Sequence, residues 1–183
     1  MTLIVSTAEP TSTTTDLPAA PAPELGGPVK IWTDGSCRPN PGAGGWAAIL
    51  QGPNGAERPI KGSEPDTTNN RMELRAAIQG LKALKRPCRV TVIGDSEYVS
   101  LGMTAWVPKW IAAGWRTAKG RPVENRDLWE ELVAAAGPHD VTWQWTRGHA
   151  SDAMNNRADA LANAAREKMA RQQASRQDVA GVL

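Results

Sequence analysis

Four acidic residues stand in contexts that place a carboxylate at a turn or an element end. They are Asp34 in Thr33-Asp34-Gly35-Ser36, Glu73 in Asn69-Asn70-Arg71-Met72-Glu73-Leu74, Asp95 in Gly94-Asp95-Ser96, and Asp159 in Asn155-Asn156-Arg157-Ala158-Asp159. Hard divalent cations such as Mg²⁺ and Mn²⁺ take oxygen ligands. Two of them about 3.5–4 Å apart stabilise both the attacking and the leaving oxygen of a phosphoryl displacement. Four carboxylates suit two such ions, so the candidate chemistry is metal-assisted hydrolysis of a phosphate ester. Any one of these acids alone reads equally well as a helix cap or a solvated charge, and the set carries the argument. His149, after Gly148, adds an imidazole that titrates near neutrality and can hand a proton to or from water or a leaving group. His139, beside Pro138, reads as a surface residue.

Those side chains need one scaffold. The chain has 183 residues, 40% of them apolar, with eight Trp and no Phe, enough for one packed domain plus tails. No run approaches the roughly 18 apolar residues that span a bilayer, and the amino terminus lacks a basic segment followed by an apolar stretch. A cytoplasmic protein without a membrane role is expected. Cys37 and Cys88 fall in segments that read as strand, which predicts reduced thiols rather than a disulfide framework. Residues 1–28 hold Glu9, Asp16 and Glu24 and no Lys or Arg, whereas residues 29–171 hold 20 Lys and Arg against 15 Asp and Glu, a balance of +5. A basic domain with an acidic metal site fits a polyanionic substrate such as nucleic acid.

The element order follows from pattern. Residues 1–28, rich in Thr, Ala and Pro beyond residue 5 and without apolar periodicity, read as a disordered extension, residues 29–171 as the domain, and residues 172–183 as a flexible tail. Val29 to Thr33 alternates as a strand, Trp46 to Gln51 follows a Gly- and Pro-rich turn, and Glu57 to Ser63 follows Pro53-Asn54-Gly55. Those three segments form an antiparallel meander. From Thr67 to Asn70 the residues offer helix caps, and Leu74, Ile78 and Leu81 then line one face of a helix ending near Pro87. Val90 to Ile93 is β-branched, as suits a strand buried on both faces and parallel to the first. Helices are expected at Ser96–Met103, at Trp106–Gly114 with a break near Pro108, at Asp127–Ala136 and at Asp152 to about Arg171, with a last strand at Val141–Thr146. The fold class is therefore α/β, a mixed sheet flanked by helices. Asp34 and Asp95 come from neighbouring strand ends, where ligands of open α/β sheets gather.

In this order and spacing the segments resemble bacterial type 1 ribonuclease H from about Val29 to Arg166. The resemblance rests on Thr33-Asp34-Gly35-Ser36-Cys37 with Asn40-Pro41-Gly42, then Thr67 through Leu74, Asp95-Ser96-Glu97-Tyr98-Val99, Gly148-His149, and Asn156-Arg157-Ala158-Asp159. It implies a five-stranded mixed sheet, with strands 1–3 an antiparallel meander and strands 4 and 5 parallel to strand 1. It also implies a monomer with no obligate protein partner that cuts the RNA strand of RNA/DNA hybrids and leaves 5′-phosphate and 3′-hydroxyl ends.

The same resemblance assigns Asp34, Glu73, Asp95 and Asp159 to two Mg²⁺ ions, with Mn²⁺ as substitute, and gives His149 a helping role in proton handling or product release. Discrimination of RNA requires groups that bond its 2′-hydroxyl. By resemblance these are the backbone around Ser36 and Cys37, together with Asn69, Asn70 and the Glu73 carboxylate. Asn40, Thr68 and Asn125 match positions that contact DNA phosphates, and Trp106 one that packs on DNA sugars. Trp110, Trp115 and Trp129, with Lys109, Arg116, Lys119 and Arg121, complete an aromatic-basic stretch like the family's substrate handle, although Trp at such spacing also reads as core. The chain departs from the family at Ile111-Ala112-Ala113, where Lys and Arg are common, and at Asp66, where Arg is common; both reduce the grip on phosphate. A non-catalytic hybrid-binding module, or an integrase or other nuclease of the same fold, is the alternative reading. The first would be expected to lose a ligand acid, and none is lost.

Overall fold

The computed structural model describes residues 26–147 and 152–180. His149 therefore lies outside the described residues, as does nearly all of the amino-terminal extension. Strands β1 (Gly26–Cys37), β2 (Gly42–Gln51), β3 (Glu57–Thr67), β4 (Cys88–Gly94) and β5 (Asp140–Trp145) form one sheet in the order β3-β2-β1-β4-β5. β1 to β3 pair antiparallel as a meander, and β4 runs parallel to both β1 and β5. This is the expected five-stranded mixed sheet.

Alternation along the strands sends side chains to opposite faces. Ile31, Ala48, Leu50, Val90 and Val92 join Leu74, Ile78 and Leu81 of helix α1 (Asn69–Lys82), and Leu128, Trp129 and Leu132 of helix α4 (Arg126–Ala136), in the main core. Trp32, Ile49 and Ile93 point the other way, onto Ala158 of helix α5 (Ala153–Ala180). Each face of the sheet is thus covered by helix over β1, β2 and β4, while the edge strands β3 and β5 stay largely exposed.

Several bounds differ from expectation, each for a visible reason. β3 continues past Ser63 through Pro65 to Thr67 because it is the edge strand, where a proline's missing N–H interrupts no ladder. α1 stops at Lys82, short of Pro87, and is capped by Thr68, whose hydroxyl accepts from the Arg71 N–H at 3.3 Å. Between β4 and α4 the chain runs through α2 (Glu97–Leu101), a π-helical turn (Gly102–Trp106) and α3 (Val107–Ala112) without the expected break. Pro108 sits in the first turn of α3, where its absent N–H is not needed. Gly102 has the Trp129 ring against its backbone, and a Cβ there would fall inside that ring. The last helix reaches Ala180, beyond Arg171, and Gln173 Nε2 donates to the Pro65 carbonyl at 2.6 Å, tying the extension to β3.

Candidate active site

Parallel pairing of β1 with β4 brings Trp32 level with Ile93, so the residues that follow, Asp34 on β1 and Asp95 just past β4, emerge side by side at the same end of the sheet. α1 crosses that end so closely that a Cβ on Gly35 would strike the backbone of Met72 and Glu73. Glycine at 35 is what lets Glu73 reach the strand ends. One carboxylate oxygen from each of Asp34, Glu73 and Asp95 falls within 4.8 Å of the others. Asp34 is 5% exposed and Glu73 6%, while Asp95 is half-buried.

Such crowding of buried acids has an electrostatic consequence. Burial first, then the charges of Asp95 and Asp159, push the Asp34 carboxyl up to about 8 from an ordinary 3.8. Glu73 is likewise held well above its ordinary range by burial, then by Asp34, Asp95 and Asp159, with the Gly35 amide pulling the other way. Acidic groups are concentrated here, none of the three is in an ion pair with Lys or Arg among the described residues, and the donors are all carboxylate oxygens. That donor set fits a hard divalent cation.

Asp159, half-buried on α5, contributes its charge to both neighbours but lies outside the tight trio. Its position depends on the start of α5. Asp152 caps that helix, its Oδ1 accepting from the N–H groups of Met154 (2.9 Å) and Asn155 (3.2 Å), while its Oδ2 accepts from Trp32 Nε1 (3.0 Å) on β1. Asn155, 1% exposed, donates to Asp95 Oδ2 at 3.4 Å. The Asp95 carbonyl in turn accepts from Trp145 Nε1 at 3.0 Å. Asp152, Asn155, Trp32 and Trp145 were not singled out from sequence. Asp152 alone offered a signal, an acid preceding a long periodic stretch.

The other residues implicated from sequence divide into two groups. Asn40, Thr68, Asn69 and Asn70 gather at the start of α1, where the Asn69 N–H donates to Asn40 Oδ1 (3.2 Å) and Asn70 is exposed. Ser36 and Cys37 are buried next to them on β1. The Cys37 thiol lies among the carbonyls of Pro39, Gly42 and Thr67, and the Ser36 hydroxyl donates to Asn163 Oδ1. Both side chains are thus engaged internally. Cys37 and Cys88 are free, as expected.

Asn125 and Trp106 form the second group. Asn125, in the left-handed backbone region at φ 55°, accepts from Arg71 Nη1 (3.3 Å) and donates to Tyr98 Oη (3.1 Å). Trp106 is half-buried, edge-on to Tyr98, and lines an open groove with Lys109, Trp110 and Arg116. Trp129 is fully buried and its indole N–H donates to Tyr98 Oη, so it belongs to the core rather than to an aromatic-basic surface. His139 is half-buried and accepts from the Cys88 N–H through Nδ1 at 3.2 Å. It is therefore not a free surface residue, and its burial lowers its proton affinity.

Known proteins resemble this chain in sequence and fold. The RNase H family model matches residues 27–167. A ribonuclease H of Acidiphilium cryptum is 58% identical over 84% of this chain and 95% of its own length, and one of Hydrogenovibrio crunogenus is 55% identical over 77% and 97%. A ribonuclease HI of Pseudomonas aeruginosa is 58% identical over 74% of this chain and 90% of its own. Among solved structures, LC9-RNase H1, described as a type 1 RNase H with the type 2 active-site motif, superposes with a TM-score of 0.71 at 37% identity, covering 82% of this chain and 75% of that one. LC11-RNase H1, solved in complex with RNA/DNA hybrid, shares the fold at a TM-score of 0.60 and 23% identity, over 76% and 97%. With its acids gathered at the parallel strand ends and its relatives more than half identical over nearly their whole length, the chain belongs to the bacterial type 1 ribonuclease H family and is an enzyme of that class.

Proposed function

We propose that the protein hydrolyses the RNA strand of RNA/DNA hybrids endonucleolytically, leaving 5′-phosphate and 3′-hydroxyl ends. The observation that carries this reading is the trio of Asp34, Glu73 and Asp95, with carboxylate oxygens within 4.8 Å of one another at a buried strand end. Asp34, Glu73, Asp95 and Asp159 would hold two Mg²⁺ ions, or Mn²⁺ in their place. When bound, these cations supply an activated water and charge stabilisation for the leaving 3′ oxygen. The proteins' own groups do the rest. Gly35 admits α1, so that Glu73 would help Asp34 and Asp95 hold a cation and would also be offered to a 2′-hydroxyl of the RNA strand. The backbone at Ser36 and Cys37, with Asn69 and Asn70, offers donors and acceptors to successive 2′-hydroxyls, the one chemical mark of the RNA strand. His149, on the segment after β5, would move a proton to or from water or the leaving group.

The DNA strand would be held apart from this centre. Asn40, whose Oδ1 is already engaged by Asn69, has its amide N–H₂ left for a phosphate oxygen, beside Thr68. Asn125, next to the Arg71 guanidinium, and Trp106, in its groove with Lys109 and Arg116, supply polar and stacking contacts further along. We take residues 29–171 as the catalytic domain, residues 1–28 as a solvated extension and residues 172–183 as a carboxy-terminal tail. We also take the working form as a monomer. No helix among the described residues is long and apolar enough to cross a membrane, and the two buried free thiols suit the reducing cytoplasm.

The test is one end-labelled sequence offered as RNA/DNA hybrid, RNA duplex, DNA duplex and single-stranded RNA, with Mg²⁺ or with EDTA. Cutting confined to the hybrid's RNA strand and lost in EDTA is expected. Binding without cutting would favour a hybrid-binding module, and DNA cutting another nuclease of the fold.

A further inference from the structure

Asp159 is joined to β1 by a short relay. Ser36 Oγ donates to Asn163 Oδ1 at 2.7 Å, and Asn163 Nδ2 donates to Asp159 Oδ1 at 2.9 Å. The relay has only one sensible orientation. An ionised carboxylate accepts and never donates, so the amide must turn its nitrogen towards Asp159, and its oxygen is then free to take the Ser36 hydroxyl. Four residues separate Asp159 from Asn163 on α5, which puts both on one helix face, and Ser36 lies two residues after Asp34 on the strand that carries it. The bond to the carboxylate is charge-assisted and occupies one of its two oxygens.

We infer that Asn163 is a positioning residue for cation binding. Held by Ser36, it fixes the Asp159 carboxyl relative to Asp34 and leaves Oδ2 as the oxygen that faces the cation. This rests on the proposed role of Asp159 as a metal ligand. Asp159 stands outside the tight trio, so it is the member of the set whose rotamer most needs an external hold. Partners of this kind typically account for about 10–100-fold in metal affinity or activity.

The experiment uses the full-length protein and its Asn163→Ala, Ser36→Ala and Asp159→Asn variants, with the double variant of the first two. Isothermal titration with Mn²⁺ alone, the Mg²⁺ concentration for half-maximal hybrid cleavage, and Tm are read for each. Asn163→Ala should weaken Mn²⁺ binding and raise the Mg²⁺ requirement by about 10-fold, at the low end of that range. Its Tm should hold or rise, because Ala is the better helix former at an interior position of α5. Ser36→Ala should weaken Mn²⁺ binding less, and add nothing in the Asn163→Ala background. If Asp159→Asn impairs Mn²⁺ binding while Asn163→Ala leaves it within twofold, the positioning role is overturned and the ligand role stands. A fall in Tm for Asn163→Ala with unchanged Mn²⁺ affinity would overturn it as well, assigning the residue to folding alone. If Asp159→Asn itself leaves Mn²⁺ binding and cleavage intact, the ligand reading fails and takes this inference with it.

Discussion

Asp34→Asn should abolish cleavage and, without metal, make the protein more stable. Asp34 is 5% exposed, and burial with the neighbouring acids pushes its carboxyl up to about 8 from the ordinary 3.8 of an unfolded chain. Between those values the folded protein binds a proton that the unfolded chain does not. Stability therefore falls as pH rises from about 4 to about 8, and levels off above. At about 1.4 kcal/mol per pH unit, that window sets a ceiling of roughly 6 kcal/mol. An amide of the same shape carries no charge to bury, but it also changes the hydrogen bonding around Glu73. Roughly half the ceiling, about 2–3 kcal/mol, is expected at pH 8 in EDTA. For a domain of this size that raises Tm by about 6–10 °C. Thermal melts of both proteins at pH 5 and pH 8, in EDTA and in saturating Mg²⁺, make the measurement. The gap should widen with pH in EDTA and close in Mg²⁺, since the cation binds the folded wild type. A wild type as stable as the variant at pH 8 in EDTA, or a gap that ignores pH, would refute the reasoning.

Gly35→Ala should leave little active protein even with every carboxylate present, because the new methyl group meets the backbone of α1; soluble yield and residual cleavage check it. Trp129→Ala should cost about 3–5 kcal/mol in urea unfolding, as truncation of a fully buried indole does. Trp106→Ala, by contrast, should chiefly raise KM for the hybrid, with a smaller effect on unfolding, as steady-state kinetics will separate. His149→Ala should lower kcat by about 10²-fold with KM little changed, and should not abolish turnover.

Much of this architecture is legible in the chain because local and global preferences agree. β-branched runs at Val90–Ile93, the cap at Thr68 and the apolar stripe of α1 each point to the element that forms. The four carboxylates are legible for a different reason: Asp34 lies near the end of β1, Asp95 follows β4, and Glu73 and Asp159 sit in the first two turns of helices, so element order points them toward one end of the sheet. What escapes the sequence is side-chain partnership across long separations. Trp32 and Asp152 meet only after α5 has folded over β1, and Asn155 reaches Asp95 from the same helix. Trp129 reads from its spacing as core or as part of an aromatic-basic surface, and only the close approach of Gly102 shows why it is core. The length of α5 was within reach, since no Gly or Pro occurs between Ala153 and Ala180. Asn163, one helical turn past Asp159, could have been found from the same periodicity.

The most direct test of the central claim is hydrolysis of a hybrid in ¹⁸O-water with Mg²⁺, followed by mass analysis of the RNA fragments. The account predicts ¹⁸O in the 5′-phosphate and an unlabelled 3′-hydroxyl, on the RNA strand alone, with no product from Asp34→Asn. A 2′,3′-cyclic phosphate, or cutting that survives both EDTA and Asp34→Asn, would contradict it, because the chemistry would then need neither the carboxylates nor the cations they are arranged to hold.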